Sequence, residues 1–152
     1  MKKNIMVKGL TALILTAALL GSGHSVPAQT GGDSLYKRLG GYDAIAAVTE
    51  DFIGRLATDK KLGRFFVGLS DNSKTRVAQL VKDQLCAATG GPCTYIGRDM
   101  KTSHKGMGIT EEDWNIAVKH LVDTLNKFKV GQREQQDLAA ALTGLKPDIV
   151  EK

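Results

Sequence analysis

Histidine is scarce in this chain, with only His24, His104 and His120 among 152 residues. A metal centre built from protein side chains alone needs clustered His, Cys, Asp and Glu, and no stretch of the sequence supplies one. No Ser/His/Asp spacing and no nucleophile-elbow motif is present, so nucleophilic catalysis has no equipment here. Convincing period-two alternation is missing too, which excludes a strand-rich fold. There are no internal repeats, and no run rich in Lys or Arg that would suit nucleic acid. What remains is a helical chain with glycine punctuation and one well-placed imidazole.

The long apolar run needed to span a bilayer, roughly 20 residues, is also absent. Leu10 to Leu20 is uncharged but stops at Gly21, Ser22, Gly23 and His24. With Lys2, Lys3 and Lys8 before it and Val26-Pro27-Ala28 after it, the segment 1–28 reads as a cleavable secretory signal. No cysteine follows it, which argues against lipid attachment. Export to the periplasm or the exterior is therefore expected, with no stable membrane insertion after cleavage. All 16 acidic residues lie after Ala28, leaving 18 basic ones there and a net charge of +2. The basic character of the whole chain is thus partly the signal. Residues 29–33 form a short polar lead-in, and 34–150 are expected to be one domain of ordinary size.

The only cysteines are Cys86 and Cys93, in the run Leu85-Cys-Ala-Ala-Thr-Gly-Gly-Pro-Cys93. In an oxidising compartment they can close a disulfide across a helix end, which contributes about 2.5 kcal/mol by chain entropy. The alternative is two free thiols.

The spacing predicts a short helix capped by Ser34 and ending at Gly40-Gly41. A second helix starts at Asp43 and carries Ile45, Val48, Phe52 and Leu56 at helical spacing. Lys60 to Phe66 reads as a short turn, and Gly68 to Ser73 as a polar loop. An amphipathic helix is expected from Lys74 to Thr89, stopped by Gly90-Gly91-Pro92. After an irregular stretch around His104, the run Thr110, Glu111, Glu112 and Asp113 is a capping-type start. The helix it opens carries Trp114, Ala117, Val118, Leu121, Leu125 and Phe128 on one stripe. A last helix runs from about Gln132 to Leu145.

On the Lys74–Thr89 helix, Val77, Leu80, Val81, Gln84, Leu85 and Ala88 fall within one arc. Gln84 is the only polar side chain on it. A buried amide needs partners, so Gln84 bonds a neighbouring backbone group, sits at the wet end of the arc, or donates to a ligand in an apolar pocket. Cys86 is expected on the opposite, polar side. His120 is expected at the edge of its helix's apolar stripe, in solvent.

Several pieces then combine. They are Leu35-Tyr36-Lys-Arg-Leu39-Gly40-Gly41, Asp51-Phe52, Phe65-Phe66, Thr89-Gly90-Gly91-Pro92, Tyr95-x-Gly97-x-x-Met100 and His104-x-Gly-x-Gly-Ile109. In this order and spacing, from about Ser34 to Leu145, the chain resembles a group I truncated haemoglobin. The resemblance implies an all-α, two-over-two helical globin fold holding haem b. Covalent attachment of the c type is excluded by the lack of a Cys-x-x-Cys-His run. By position, His104 matches the proximal iron ligand, and the other face of the iron is left to O2, NO or CO. Phe66 matches the aromatic that lies flat on the haem. Met100 sits one turn before His104, Trp114 stands where a further aromatic meets the porphyrin, and Phe52, Leu85 and Leu121 complete the apolar lining. Arg98 and Lys101 are candidates for the haem propionates.

Two departures from the family pattern matter. Where a tyrosine usually donates to bound O2, this chain has Ile53. Counting back from Gly90-Gly91, the positions over the iron become Val77, Leu80 and Val81, although extra residues after Phe66 can slip that register. Losing one or two donors removes about 1.5–3 kcal/mol of O2 stabilisation, and Gln84 is the candidate to restore part of it. The resemblance thus implies a monomeric binder of diatomic gases served by an unidentified reductase. The alternatives are a haem enzyme (NO dioxygenase or peroxidase-like) and a helical module that has lost its cofactor.

Overall fold

The structure, a computed structural model, describes residues 32–152. The expected signal 1–28 and most of the lead-in lie outside the described residues. Within them every regular element is helical: α1 (Leu35–Arg38), α2 (Gly41–Thr58), a 3-10 turn (Leu62–Phe66), α3 (Asp71–Ala88), α4 (Met100–His104), α5 (Glu111–Lys127), α6 (Gln132–Thr143) and α7 (Lys146–Ile149).

Local chemistry sets most of the helix starts. Ser34 Oγ accepts from Lys37 N at 3.4 Å, and Ser70 Oγ accepts from Ser73 N at 3.2 Å. Asp99 receives Thr102 N at 2.8 Å. Thr110 and Asp113 close a reciprocal capping box, which satisfies donors that a helix start would otherwise leave to water.

Three boundaries differ from expectation. α2 begins at Gly41 rather than Asp43, because Gly40 takes a left-handed cap conformation and the helix starts directly behind it. α3 begins at Asp71 rather than Lys74, since Ser70 caps a polar, solvent-facing first turn that hydrophobic periodicity cannot register. α6 ends at Thr143 rather than Leu145.

α2 is the central element, packing against α1, the 3-10 turn, α3 and α5. The buried core joins Ile45 and Val48 of α2 to Leu85 and Cys86 of α3, Leu125 of α5 and Leu138 of α6. Val81 and Leu121 pack on it from the side. Full burial of each such apolar side chain is worth roughly 1.5–3 kcal/mol. Asp51 reinforces the α2–α5 contact, accepting from Arg55 at 2.6 Å and Thr124 at 3.0 Å and pairing with Lys127.

Cys86 is bonded to Cys93, with Cα atoms 5.7 Å apart. Contrary to the polar-side expectation, Cys86 is 0% exposed and belongs to the core. A helical wheel assumes one buried face, but α3 is covered on a second side by Tyr36 and by the turn at Gly91. A side chain at Gly91 would place its Cβ 2.5 Å from Tyr36 Cδ2 and 2.7 Å from Cys86 Sγ, so only glycine fits there. Ala88, placed on the apolar arc by spacing, is exposed.

The α5 stripe also divides. Leu125 is buried, whereas Val118 and Phe128 are 40% and 39% exposed. His120 is not in solvent either: Asp59 reaches across to its ring.

Candidate functional site

His104 is the last residue of α4, half-buried and held in a defined orientation. Its Nδ1 lies 2.8 Å from the carbonyl oxygen of Met100, one turn earlier. A carbonyl only accepts, so Nδ1 carries the proton in the neutral ring and Nε2 keeps its lone pair. No hydrogen bond among the described residues reaches Nε2. This is how metal-binding histidines are prepared, with one nitrogen anchored to the backbone and the other free to coordinate.

The placement of α4 is as informative as its histidine. It packs against α7 and makes no comparable contact with α2, α3 or α5. α4 is thus tied to α3 chiefly through the chain, where the disulfide at Cys86 joins the end of α3 to the segment leading to α4.

The large apolar side chains expected around His104 share an intermediate burial. Phe52 on α2, Phe66 at the end of the 3-10 turn, Met100 on α4, and Trp114 and Leu121 on α5 are all half-buried. Arg98 and Lys101 are exposed and form no salt bridge among the described residues. The Arg98 carbonyl accepts from the Tyr95 hydroxyl at 2.6 Å, which shapes the approach to α4.

The residues expected over the iron divide into two groups. Ile53 and Phe66 line a cleft of about 370 Å³ between α2 and α3, together with Gly54, Ala57 and Ala78, under a rim that includes Lys74, Thr75, Gln79 and Lys82. Val77, Leu80, Val81 and Gln84 do not line it. A helix turns about 100° per residue, which puts Gln84 some 120° round the axis from Ala78. These four are half-buried, while Leu85 is buried in the core. The Gln84 amide makes no hydrogen bond among the described residues, so the backbone partner considered for it is not what the structure shows.

Three features escaped the sequence reading. Asp113, 1% exposed, accepts from Arg64 at 2.7 Å as well as from Thr110, joining the 3-10 turn to the start of α5. Burial opposes its ionisation, but the Thr110 amide, the Arg64 guanidinium and the Thr110 hydroxyl together hold the carboxyl below its ordinary range. The Asp59–His120 pair and the contact of Glu151 with the loop after His104 are the others. The Thr110–Asp113 spacing was readable, but its Arg64 partner and the two other pairings span 43 to 61 residues and leave no local signal.

Comparison with known proteins agrees with this geometry. Residues 34–151 match the bacterial-like globin family. The group 1 truncated hemoglobin GlbN of Mycolicibacterium paratuberculosis is 34% identical over 116 residues, covering 76% of this chain and 83% of that protein. A variant of the truncated hemoglobin of Tetrahymena pyriformis in its Fe(III) form superposes with a TM-score of 0.72 at 25% identity, over 79% of this chain and all of that one. The 2/2 hemoglobin of Synechococcus sp. PCC 7002, solved in a cyanomet state with covalently attached heme, gives 0.71 at 27% identity, over 79% of this chain and all of that one. The fold is accordingly the truncated, two-over-two helical arrangement. By its matched residues, its relatives and its fold, this chain belongs to the bacterial-like globin family.

Proposed function

We propose that this protein holds haem b without covalent attachment, through Nε2 of His104, and offers the other face of the iron to diatomic ligands such as O2, NO and CO. The observation that carries this reading is the anchored His104 ring, whose Nε2 has no partner among the described residues, on a helix that packs chiefly on α7. The surrounding residues fit such a group. Phe52, Phe66, Met100, Trp114 and Leu121 supply half-buried apolar walls for a flat ring, and Arg98 and Lys101, in no salt bridge among the described residues, supply positive charge for its carboxylates. When bound, the haem iron would supply an open coordination position for a diatomic ligand.

Each residue then has a physical task. The Met100 carbonyl fixes the tautomer and direction of His104. Phe66 and Met100 exclude water from the ring faces. Gln84, whose amide has no partner among the described residues, is the one member of the set Val77, Leu80, Val81 and Gln84 able to donate a hydrogen bond to a ligand. Val77, Leu80 and Val81 offer no group that moves a proton, which favours reversible gas binding over peroxidase-type turnover.

We further infer that residues 1–28 direct export and are removed, that the mature chain acts as a monomer in the periplasm or outside the cell, and that an unidentified reductase supplies its electrons. The Cys86–Cys93 disulfide supports that destination, because such bonds persist in oxidising compartments. Amino-terminal sequencing of the exported protein is expected to begin at Gln29, and an unprocessed Met1 would remove this part of the proposal.

Absorption spectra of the ferric, ferrous and CO forms test the central claim, with His104→Ala measured beside the parent. The parent is expected to show a Soret band that moves on CO addition, and the variant to lose most of it. Retention of an identical band in His104→Ala would show that another residue binds the iron.

A further inference from the structure

The loop that follows His104 is shaped by a residue 45 positions away. Gly106 and Gly108 both take positive φ, 82° and 65°. Their amides point to one place, and a carboxylate fills it: Glu151 Oε1 accepts from Gly106 N, and Oε2 from Gly108 N, each at 2.6 Å. Backbone amides that converge in such a turn form a concave anion site, which this chain fills with its own side chain. A hydrogen bond with an ionised acceptor is about twice as strong as one between neutral partners.

The backbone doubles the connection. Glu151 N and Lys152 N donate to the Ile109 carbonyl at 2.8 and 3.3 Å, and Glu111 N donates to the Lys152 carbonyl at 3.1 Å. The last bond satisfies one of the free donors at the start of α5. Met107 N closes back on the His104 carbonyl at 3.1 Å, so the constrained loop is continuous with the histidine. Since α4 packs on α7 rather than on α2, α3 or α5, the segment 146–152 is its principal support.

We propose that Glu151 is a positioning residue for the iron ligand: by clamping the amides of Gly106 and Gly108, it fixes the loop Lys105–Ile109 and with it the direction in which His104 presents Nε2. The proposal rests on the haem-binding reading above. Glu151 touches neither ligand nor iron, and acts only through the loop. Its short reach is specific. Glutamine at 151 keeps one carbonyl acceptor, whereas alanine keeps none.

The test uses the full haem-loaded protein with Glu151→Ala, Glu151→Gln and, as a control in the same segment, Asp148→Ala. Two quantities are read: the rate of ferric haem transfer to excess apomyoglobin, and the iron–histidine stretching band of the ferrous form in resonance Raman spectra. Glu151→Ala is expected to release haem about tenfold faster, as loss of a supporting group around a metal ligand does, and to shift or broaden the band. Glu151→Gln is expected to fall between it and the parent, and Asp148→Ala to match the parent. Faster release with an unmoved band would make the segment a mere structural brace and overturn the proposal, as would parental values for both readouts. If Glu151→Ala does not fold, Glu151→Gln carries the same comparison. A parent lacking the iron–histidine band, or a His104→Ala variant retaining it, would remove the underlying function and the proposal together.

Discussion

Asp59 Oδ2 lies 2.9 Å from Nε2 of His120, while Oδ1 of the same carboxylate accepts from Lys61 N at 2.8 Å and Leu62 N at 3.0 Å. One side chain therefore joins the end of α2, the turn that carries Phe66, and the middle of α5. The Leu62 amide, the His120 ring and the Lys61 amide hold the Asp59 carboxyl at about 2, below its ordinary 3.8. A carboxyl depressed on folding stabilises the protein above its unfolded value and loses that contribution as pH falls through the folded one. Stability is thus expected to decline between about pH 4 and pH 2 on account of this group. Asp59→Asn, which can still accept from the two amides, should flatten that part of an acid-unfolding curve followed by circular dichroism and lower the melting temperature at neutral pH.

The capping box at Thr110 makes a stability prediction. Asp113→Ala removes the acceptor for Thr110 N and leaves Arg64 without its partner. We expect a loss of about 2 kcal/mol in urea unfolding. Thr110→Ala should cost about 1 kcal/mol. Because the two share one set of bonds, the double variant should lose less than the sum.

The Cys86–Cys93 bond closes a short loop, and its reduction is expected to cost about 2.5 kcal/mol. Cys93→Ala should lower the unfolding free energy by a similar amount and make the denaturant midpoint insensitive to added thiol. A thiol-sensitive midpoint in that variant would mean that the effect arises elsewhere.

Ile53 faces the α2–α3 cleft beside Phe66. If this cleft opens to the ligand side of the iron, Ile53→Tyr introduces a donor and should slow O2 release roughly ten- to a hundredfold, at charged-acceptor hydrogen-bond strength. CO, less dependent on a donor, should change far less. Flash photolysis of the two ligands compares them directly. Gln84 lies on another face of α3, so the two variants discriminate: a response to Ile53→Tyr places the ligand on the cleft side, and faster O2 release in Gln84→Leu places it on the other.

The fold was legible in the sequence where it depends on local chemistry. The Thr110–Asp113 cap, the Gly90-Gly91-Pro92 stop and the Ile45, Val48 and Leu125 core positions follow from spacing. Cys86 was misplaced because a wheel takes each helix as having one buried face, whereas α3 is covered on two. The start of α3 was missed because Asp71 to Ser73 are polar and leave no hydrophobic rhythm. The site was partly legible: His104 stood out through the scarcity of its kind, yet the bond from its ring to Met100 is a matter of rotamer, which sequence does not carry. The distal set was read as one group from a single register, and the structure divides it between a cleft and another face of the helix. Glu151 had no local signal, because its partners are backbone amides far along the chain.

The lean of α4 on α7 also sets an order of events during synthesis. When His104 leaves the ribosome, the carboxylate that closes the loop behind it has not yet been made, since the two glycine amides lie 45 and 43 residues before their acceptor. A nascent chain can assemble the α2–α3 pair early, but the turn behind His104 stays unlatched until Glu151 has been added and has reached it.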